Sequence, residues 1–370
     1  MDTIQAINDN RIILTLDAGG TNFVFSAIQK GEFIIENISL PSNSDNLELC
    51  LNTIVAGFES MLKQLPEHPA AISFAFPGPA DYPNGIIGGY LPNFPSFRDG
   101  VALGAFLEKR FGIPVFINND ADLYAYGEAM SGKLPEINNK LRKLGCNKIY
   151  KNLLGYTFGT GFGFGFVSDG RLHIGDNSCV ETFCLRHKDY KNIIVEEGVS
   201  VMAVKRLYGE LCGNPGHRHE PKDIYEIAEG KKEGHRQAAI SAFEKMGEIA
   251  GDAMATAVTM IDGIIVIGGG ITAAKKYIMP ALLRELRSTF STINGETVNR
   301  VQMKVYNLDD ENEFRAFAKG KPQRIKVFGS NKEVCYDSEK RTGICFSSIG
   351  ASRAISIGAA IYALNSIDHK

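Results

Sequence analysis

The sequence predicts an α/β fold with two domains, and three observations support this prediction. The chain has 370 residues, which is more than one hydrophobic core usually organises. Strand-like apolar runs alternate with helical stretches along the chain. A strand, a glycine-rich turn and a second strand occur at Asp17 and again at Thr160. Two such units facing each other would make a split phosphate site.

The first half is predicted to contain a three-stranded meander followed by a helix and two further strands. Its strands are expected at 12–16, 23–28 and 33–38, then in AAISFAF and PVFIN, and its helices at 46–65 and 101–111. A long loop, PGPADYPNGIIGGYLPNFPSFRDG, follows AAISFAF, and loops of this length in compact domains are usually functional. The break near Asn118 is the predicted domain boundary.

The second half begins with a helix that Asn119 and Asp120 can cap. A second meander follows in NLLGYTFGTGFGFGFVSDGRLHIG, where alternation puts the glycines on one strand face and the phenylalanines, which would be core, on the other. The bare glycine face fits either a ligand or close packing on a helix. Helices are expected at 197–211, 222–229 and 235–262, before the strand GIIVIGGG and another helix. The polar segment 307–346 is predicted to form hairpins or loops, and the small residues of SSIGASRAISIGAAIYAL a closely packed helix face.

Composition excludes several classes of protein. The formal charge of −2 provides no basic excess for a nucleic-acid surface. The acidic N-terminus is not a secretory signal, and no apolar run is long enough for a membrane span, so a cytoplasmic protein is expected. Seven cysteines fit reduced thiols. Those near His187 and His217 lack paired spacing, so no structural zinc is expected.

The turn in ILTLDAGGTNFVFSAI is either a plain hairpin or a phosphate cradle. Its backbone N–H groups, the Thr21 hydroxyl and the Asp17 carboxylate would suit a polyphosphate with a divalent cation. A further glycine run in IDGIIVIGGGIT lies at the carboxyl end of a strand and before a helix, where α/β sheets favour ligands. It lacks the Gly-x-Gly-x-x-Gly spacing, and the chain contains no Gly-Lys-Ser/Thr loop.

Six motifs occur in one order from Asp17 to about Gly358. They are Asp-x-Gly-Gly-Thr, Pro-Gly-Pro, an Asn before an aromatic-rich turn, Asn-Asp-Ala-x, Gly-Thr-Gly and Gly-Gly-Gly. This order resembles the ROK family of repressors and sugar kinases. The resemblance implies a two-domain actin-like (hexokinase-like) ATPase fold with the active site in the interdomain cleft. The expected domains are 1–118, joined by a C-terminal helix at about 350–370, and 119–349.

The resemblance also implies a role for each matching residue. The first phosphate turn matches Asp17, Gly19, Gly20 and Thr21, with Asp17 near Mg²⁺. The second phosphate turn matches Gly159, Thr160 and Gly161, and the adenosine site matches Gly268, Gly269 and Gly270. The sugar site matches Pro77, Gly78, Pro79, Asn93, Asn119, Glu181 and Glu196, with Glu197 as the rival of Glu196. The catalytic base matches Asp120, whose alternative role is a helix cap.

The chain departs from the family pattern on the sugar side. Cys184 stands where the family has a histidine, and LRHKDYKNIIV replaces the cysteine-rich zinc motif. His187 either reaches the site instead or is a surface residue. Phe164 stands where many members have another glycine.

We therefore expect an ATP- and Mg²⁺-dependent kinase that phosphorylates a free hexose, with glucose at its 6-hydroxyl as the first substrate and Asp120 as the base. The alternatives are an N-acetylmannosamine or N-acetylglucosamine kinase and a non-catalytic sugar-binding or regulatory protein. A repressor is disfavoured because sixteen residues before Asp17 are too few for a helix-turn-helix domain. The expected partners are the sugar, ATP and a second copy in a homodimer, without nucleic acid or membrane.

Overall fold

A computed structural model describes residues 9–78 and 80–369 of the chain. These residues form two compact units. The first lies within Met1–Pro135, Gly165–Val180 and Ser348–Lys370, and the second within Glu136–Phe164 and Glu181–Ser347. None of the described helices combines the length and the apolarity that crossing a membrane requires.

The described strands and helices are numbered in chain order. The strands are β1 (Ile13–Ala18), β2 (Asn22–Gln29), β3 (Glu32–Phe33), β4 (Ile38–Pro41), β5 (Ala71–Ala75), β6 (Ala80–Asp81), β7 (Ile86–Ile87), β8 (Val115–Asn118), β9 (Leu153–Phe158), β10 (Phe162–Ser168), β11 (Arg171–Leu172), β12 (Ile264–Gly268), β13 (Thr289–Ser291), β14 (Thr297–Asn299), β15 (Lys304–Asn307), β16 (Pro322–Lys326), β17 (Glu333–Asp337) and β18 (Arg341–Phe346). The helices are α1 (Leu47–Leu62), α2 (Leu103–Phe111), α3 (Asp120–Met130), α4 (Lys133–Lys143), α5 (Val201–Leu211), α6 (Pro221–Ala228), α7 (Arg236–Ile261), α8 (Lys275–Leu286), α9 (Glu311–Lys319) and α10 (Ala351–Asp368).

A mixed sheet organises the first unit, with its strands in the order β3-β2-β1-β5-β8 and β4 also paired to β2. The β1–β2 pair is antiparallel, whereas β1–β5 and β5–β8 are parallel. The register pairs Asp17 with Ala75 and Ala75 with Asn118. The carboxyl ends of three neighbouring parallel strands therefore lie at one edge of the sheet, where α/β proteins bind ligands.

The two faces of this sheet are covered by different helices, because alternate side chains point to opposite faces. Leu14 and Phe74 join a buried core with Phe58 of α1 and with α2. On the opposite face, Ile13 and Leu364 of α10 belong to another buried cluster. The sheet thus separates the α1 and α2 layer from α10.

Small residues allow α3 and α10 to pack backbone against backbone. A Cβ on Gly358 would stand 2.0 Å from the Leu123 carbonyl oxygen, and one on Gly127 would stand 2.0 Å from that of Ala354. A Cβ on Gly165 would stand 2.4 Å from the Ala121 carbonyl oxygen. The predicted small-residue face of the last helix is confirmed, and Gly165 follows the helix-packing alternative.

The core of the second unit is a parallel sheet containing β9, β12, β18 and β15 in that order. Every residue of β12 is buried, as expected for a central strand of a parallel sheet. Two antiparallel hairpins, β13–β14 and β16–β17, also lie in this unit. Helices α7 and α8 belong to the same unit.

Three segments differ from the sequence prediction. The strand expected at 33–38 is wrong: β3 and β4 are separate short strands, each paired with β2. The helix expected at 197–211 begins only at Val201, because Ser200 caps it by accepting a bond from the Ala203 N–H at 3.2 Å.

The strand, glycine turn and strand predicted around Thr160 are confirmed as β9, a turn and β10, and within the turn Gly159 N donates to the Gly161 carbonyl at 3.1 Å. Phe158, Phe162 and Phe164 are buried as predicted, but the core position predicted for Phe166 is wrong, because this side chain is only half-buried. The segment 307–346 contains the predicted hairpin but also α9 and the fully buried β18. The helix was not predicted because the segment is polar overall. The helix is amphipathic, and its buried face contains Phe314 and Phe317.

Candidate functional site

The first glycine turn connects β1 and β2 in the first unit. The hydroxyls of Ser42 and Ser44 both donate to the Gly20 carbonyl oxygen, and Ser42 N donates to the Thr21 carbonyl at 2.9 Å. A Cβ on Gly20 would stand 3.0 Å from the Cβ of Asn93. The structure therefore brings Asn93, a predicted sugar ligand, against the predicted phosphate turn. Sequence analysis missed Ser42 because its role depends on the pairing of β4 with β2.

Two carboxyl groups of the first unit interact electrostatically. Asp17 lies near the end of β1 and Asp120 is the first residue of α3, and both side chains reach solvent. The protein atoms crowded around Asp120 raise the pKa of its carboxyl, and the charge of Asp17 raises it further. Desolvation by the surrounding protein also raises the pKa of Asp17. Carboxyl groups with raised pKa values beside one another are typical of sites that move protons or bind cations.

The N-terminus of α3 is capped mainly through Asn119. The Ala121 N–H donates to the side-chain oxygen of Asn119 at 2.8 Å and also to Oδ1 of Asp120 at 2.8 Å. The predicted cap is therefore confirmed for Asn119, while Asp120 shares it. Because Asn119 can hold the helix end alone, capping does not by itself explain an aspartate at position 120.

Asp122 is a residue of this site that sequence analysis missed. Its side chain is buried in the first turn of α3, and its Oδ1 has no hydrogen-bond partner among the described residues. Burial, and then the charge of Asp120, raise the pKa of Asp122 to about 8. The available signal was the repeated aspartate in the segment Asn-Asp-Ala-Asp, which places two carboxyl groups in one helical turn.

The Pro-Gly-Pro loop follows β5. Pro77 and Gly78 are partly exposed, and Pro79 lies outside the described residues. A Cβ on Gly78 would stand 2.4 Å from the hydroxyl of Tyr82, which donates to the Phe76 carbonyl at 2.9 Å. Only glycine fits above this buried tyrosine, so the packing of the loop itself requires Gly78.

The second glycine turn, Gly159 to Gly161, belongs to the second unit. Thr160 is exposed, and a Cβ on Gly159 would meet nothing within 4 Å. The turn is followed by Phe162, whose N–H donates to Oε2 of Glu196 at 2.9 Å. The structure thus presents an open backbone turn with a glutamate fixed beside it.

The third glycine motif lies next to this turn. Gly268 ends β12, and Gly269 has a φ of +98°, a conformation that favours glycine. A Cβ on Gly269 would also stand 2.3 Å from the Phe158 carbonyl oxygen, whereas one on Gly270 would meet nothing within 4 Å. The structure brings the second and third motifs together and leaves the backbone of Gly270 accessible.

The two candidate glutamates at 196 and 197 have different environments. Glu196 is half-buried and directed to the glycine turn, whereas Glu197 is exposed. His187 is buried, so its interpretation as a surface residue is wrong. Its Nδ1 accepts a bond from Asp189 N at 3.1 Å, and a Cβ on Gly198 would stand 2.7 Å from its Nε2. Burial lowers the pKa of His187 and favours a neutral imidazole. This ring packs against Gly198, in the turn that carries Glu196.

Within residues 9–78 and 80–369, no group of three or more His, Cys, Asp or Glu side chains could hold a metal ion. Cys179 and Cys184 are exposed, and no disulfide joins any of the seven cysteines, all of which lie within the described residues. Asp17 is the residue whose chemistry suits a magnesium ion held jointly with phosphate oxygens.

Comparison with known proteins identifies consistent relatives. The model of the ROK family matches residues 13–313. A glucokinase structure from Parabacteroides distasonis is 56% identical, covers 98% of this chain and 99% of its own, and superposes with a TM-score of 0.89. An N-acetyl-D-glucosamine kinase from Vibrio parahaemolyticus is 25% identical over an alignment of 287 positions that covers 69% of this chain and 83% of the relative.

A further structure, of a ROK family glucokinase from Streptomyces griseus in complex with glucose and AMPPNP, is 16% identical. It covers 96% of this chain and 99% of its own, with a TM-score of 0.60. At this identity the likeness concerns the fold alone. Together these likenesses confirm the predicted two-domain actin-like α/β fold class.

Proposed function

Because this chain belongs to the ROK family, we propose that it is an ATP-dependent kinase that phosphorylates a free hexose, with glucose as substrate and the 6-hydroxyl as acceptor. The observation that carries this proposal is the 56% identity to a glucokinase over 98% of the chain. The carboxyl pair of Asp17 and Asp120 and the open turns at Gly159 and Gly270 support it.

Asp120 is the proposed catalytic base. Its carboxylate takes the proton of the attacking hydroxyl as the new oxygen–phosphorus bond forms and the bond to the leaving ADP oxygen breaks. The charge of Asp17 raises the pKa of Asp120 and so makes it a stronger base. Asn119 caps the helix end as well, so the Asp120 carboxylate is not needed for capping alone and its other oxygen can face the substrate in this proposal.

The residues present fit ATP and Mg²⁺. A Cβ at Gly159 or Gly270 would meet nothing within 4 Å, so the backbone of each turn is open to a ligand. In the proposed role, Thr21 and Thr160 offer hydroxyl donors and Asp17 binds the cation. ATP supplies the phosphoryl group, and magnesium neutralises phosphate charge during its transfer. We expect Gly19 in the first unit and Gly161 in the second each to offer a backbone N–H group for phosphate binding.

The sugar site is proposed to use Asn93, Glu181 and Glu196, because amide and carboxylate groups bind vicinal hydroxyls. An N-acetylglucosamine kinase is the second candidate function, supported by the likeness to the Vibrio parahaemolyticus enzyme. Cys184, in place of the family histidine, is exposed and could accommodate a different substituent. We further propose that the protein acts in the cytoplasm as a homodimer, and its free cysteines fit a reducing compartment.

An ATP-consumption screen tests this proposal. Purified protein is assayed with glucose, mannose, N-acetylglucosamine and N-acetylmannosamine, and the phosphorylated position is identified by NMR. We expect the highest kcat/KM with glucose and a 6-phosphate product. An Asp120→Asn preparation controls for contaminating kinases. Higher kcat/KM with an acetylated sugar would favour the second candidate, and no turnover with any of the four would contradict both.

A further inference from the structure

Glu196 contacts the second glycine turn directly. It lies in the 3-10 turn Val195–Gly198, and its Oε2 accepts the Phe162 N–H at 2.9 Å. A Cβ on Gly161 would stand only 2.5 Å from the same oxygen. Phe162 is itself buried and stacks on Tyr156 at 5.3 Å. The carboxylate therefore packs against the Gly159 to Gly161 turn and holds the residue that leaves it.

The segment that carries Glu196 holds the turn at a second point. Val201 N, at the start of α5, donates to the Gly159 carbonyl at 2.9 Å. Gly159 N donates in turn to the Gly161 carbonyl at 3.1 Å. Both ends of the turn are thus bonded to one short stretch of chain, 195–201.

The same stretch is bonded to the segment that begins with Glu181. Glu196 N donates to the Phe183 carbonyl at 3.3 Å, and Val195 N donates to the Leu185 carbonyl at 2.7 Å. Glu181 is one of the proposed sugar ligands, whereas the glycine turn is a proposed phosphate site. Glu196 therefore joins, by its backbone on one side and its carboxylate on the other, the sugar segment and the phosphate turn.

A negative charge beside a phosphate site is unfavourable for phosphate binding itself, because like charges repel across a few ångströms. Besides its proposed contact with the sugar, this carboxylate therefore acts on the turn through its bond to the Phe162 N–H rather than by contact with phosphate. A charged acceptor forms a stronger bond to a backbone N–H than a neutral one and fixes the turn more firmly. A displacement of the segment 181–185 on sugar binding would reach the turn through this bond.

We propose that Glu196 is a positioning residue that couples sugar binding at the Glu181 segment to nucleotide binding at the Gly159 to Gly161 turn. This proposal rests on the proposed kinase function. Coupling between two sites is reciprocal, so sugar should tighten nucleotide binding by the same factor by which nucleotide tightens sugar binding. Couplings of this kind commonly amount to about 5- to 150-fold.

The test is a titration of the full chain with Mg²⁺ and AMP-PNP, with and without saturating glucose, by calorimetry. We expect glucose to lower the Kd of AMP-PNP at least about 5-fold in the wild type. The coupling ratio is the Kd of AMP-PNP without glucose divided by the Kd with glucose. Glu196→Ala, which removes the acceptor, should bring this ratio to about one. Glu196→Gln, which retains an acceptor oxygen for Phe162 N–H, should preserve part of it, and the exposed Glu233→Ala should preserve all of it.

The coupling ratio distinguishes a positioning role from direct sugar contact. Each variant is saturated with glucose, so weaker sugar binding alone does not change the ratio. A residue that only contacts the sugar would raise the glucose Kd in both Glu196 variants and leave the ratio unchanged, and that result would overturn the proposal. A wild type that binds both ligands without coupling would overturn it too, while leaving the kinase function intact. Absence of glucose turnover and glucose binding in the wild type would instead refute the proposed function. Melting temperatures confirm that each variant is folded.

Discussion

The charge of Asp17 raises the pKa of Asp120, although the two residues are more than one hundred positions apart in the sequence. They interact because β1, β5 and β8 are neighbouring parallel strands whose carboxyl ends share one edge. Asp17 lies near the end of the first strand, and Asp120 begins the helix after the last. A general base benefits from such a neighbour, since a raised pKa strengthens proton abstraction.

Asp120→Asn should leave the protein folded and nearly inactive. Asparagine retains the acceptor oxygen that shares the Ala121 N–H, and Asn119 caps the helix in either case. The loss of the base should lower kcat by roughly 10²–10⁴ while sugar and nucleotide still bind. The melting temperature and kcat are measured on one preparation. An active Asn variant would exclude Asp120 from the mechanism.

Glu181→Ala should weaken sugar binding and spare the nucleotide. Loss of a hydrogen bond to a charged group costs roughly 1.5–3 kcal/mol, so the sugar KM should rise about 10- to 150-fold. The Kd of AMP-PNP, measured without sugar, should remain nearly unchanged. Asn93→Ala, in the first unit, should behave in the same way. If either variant instead loses nucleotide binding, its assignment to the sugar site is wrong.

The two glycine turns could be predicted from the sequence because glycine runs interrupt apolar strands, whereas the functional roles of their residues and of Asp120 follow from the family resemblance and stay predictions. Asp17 and Gly20 lie in a polar, glycine-rich turn between two apolar strands, and Asp120 follows the apolar strand PVFIN. The bond from Phe162 to Glu196 and the burial of Asp122 could not be predicted, because they depend on which elements pack together. The hydrophobic periodicity of one segment predicts its local structure but not its contacts with distant segments.

In the fold, too, some elements could be predicted from the sequence and others depend on tertiary packing. Strands such as β5 and β12 were predictable because long apolar runs are bounded by glycine and proline. Helix α9 was missed because only Phe314, Phe317 and Ala318 are buried in a polar segment. The strand β18 was missed because it begins with Arg341, whose buried guanidinium is satisfied by the Phe317 carbonyl at 2.6 Å.

The purified protein should contain no stoichiometric zinc. Closed zinc sites need four ligands in tetrahedral geometry, usually from paired cysteines or histidines. Cys179 and Cys184 are exposed and lie near no such group within the described part of the chain. Elemental analysis after dialysis without chelator measures the metal content. One zinc per chain would show that the irregular spacing still forms a site.

Gly358→Ala should destabilise the protein, although alanine is intrinsically the better helix former by about 1 kcal/mol. The new methyl group would stand 2.0 Å from the Leu123 carbonyl oxygen, which belongs to the backbone of α3 and cannot rotate away. Overpacking of this kind typically costs roughly 1–3 kcal/mol. Chemical denaturation measures the difference. Gly216→Ala is the control, because its nearest neighbouring atom would be 3.9 Å away, and a more stable Gly358→Ala variant would contradict the tight helix contact.

Asp122→Asn should stabilise the protein increasingly as the pH rises from about 4 to 8. Burial and the charge of Asp120 raise the pKa of Asp122 to about 8 in the folded state, against about 4 in the unfolded chain. The folded state therefore holds this proton more tightly. The resulting stability is complete below the unfolded pKa and is lost as the pH approaches the folded pKa.

Asparagine has nearly the same shape as the protonated aspartic acid side chain and stays uncharged at every pH. The difference in unfolding free energy, variant minus wild type, should grow by up to about 1.4 kcal/mol per pH unit within that window and level off above it. Asp120 on the same helix and Tyr362 on α10 are the titratable neighbours that interact with this group. Urea denaturation at pH 5, 6, 7 and 8 measures the trend, with the exposed Asp99→Asn as control. A constant difference across this range would show that Asp122 titrates with the same pKa in the folded and unfolded states.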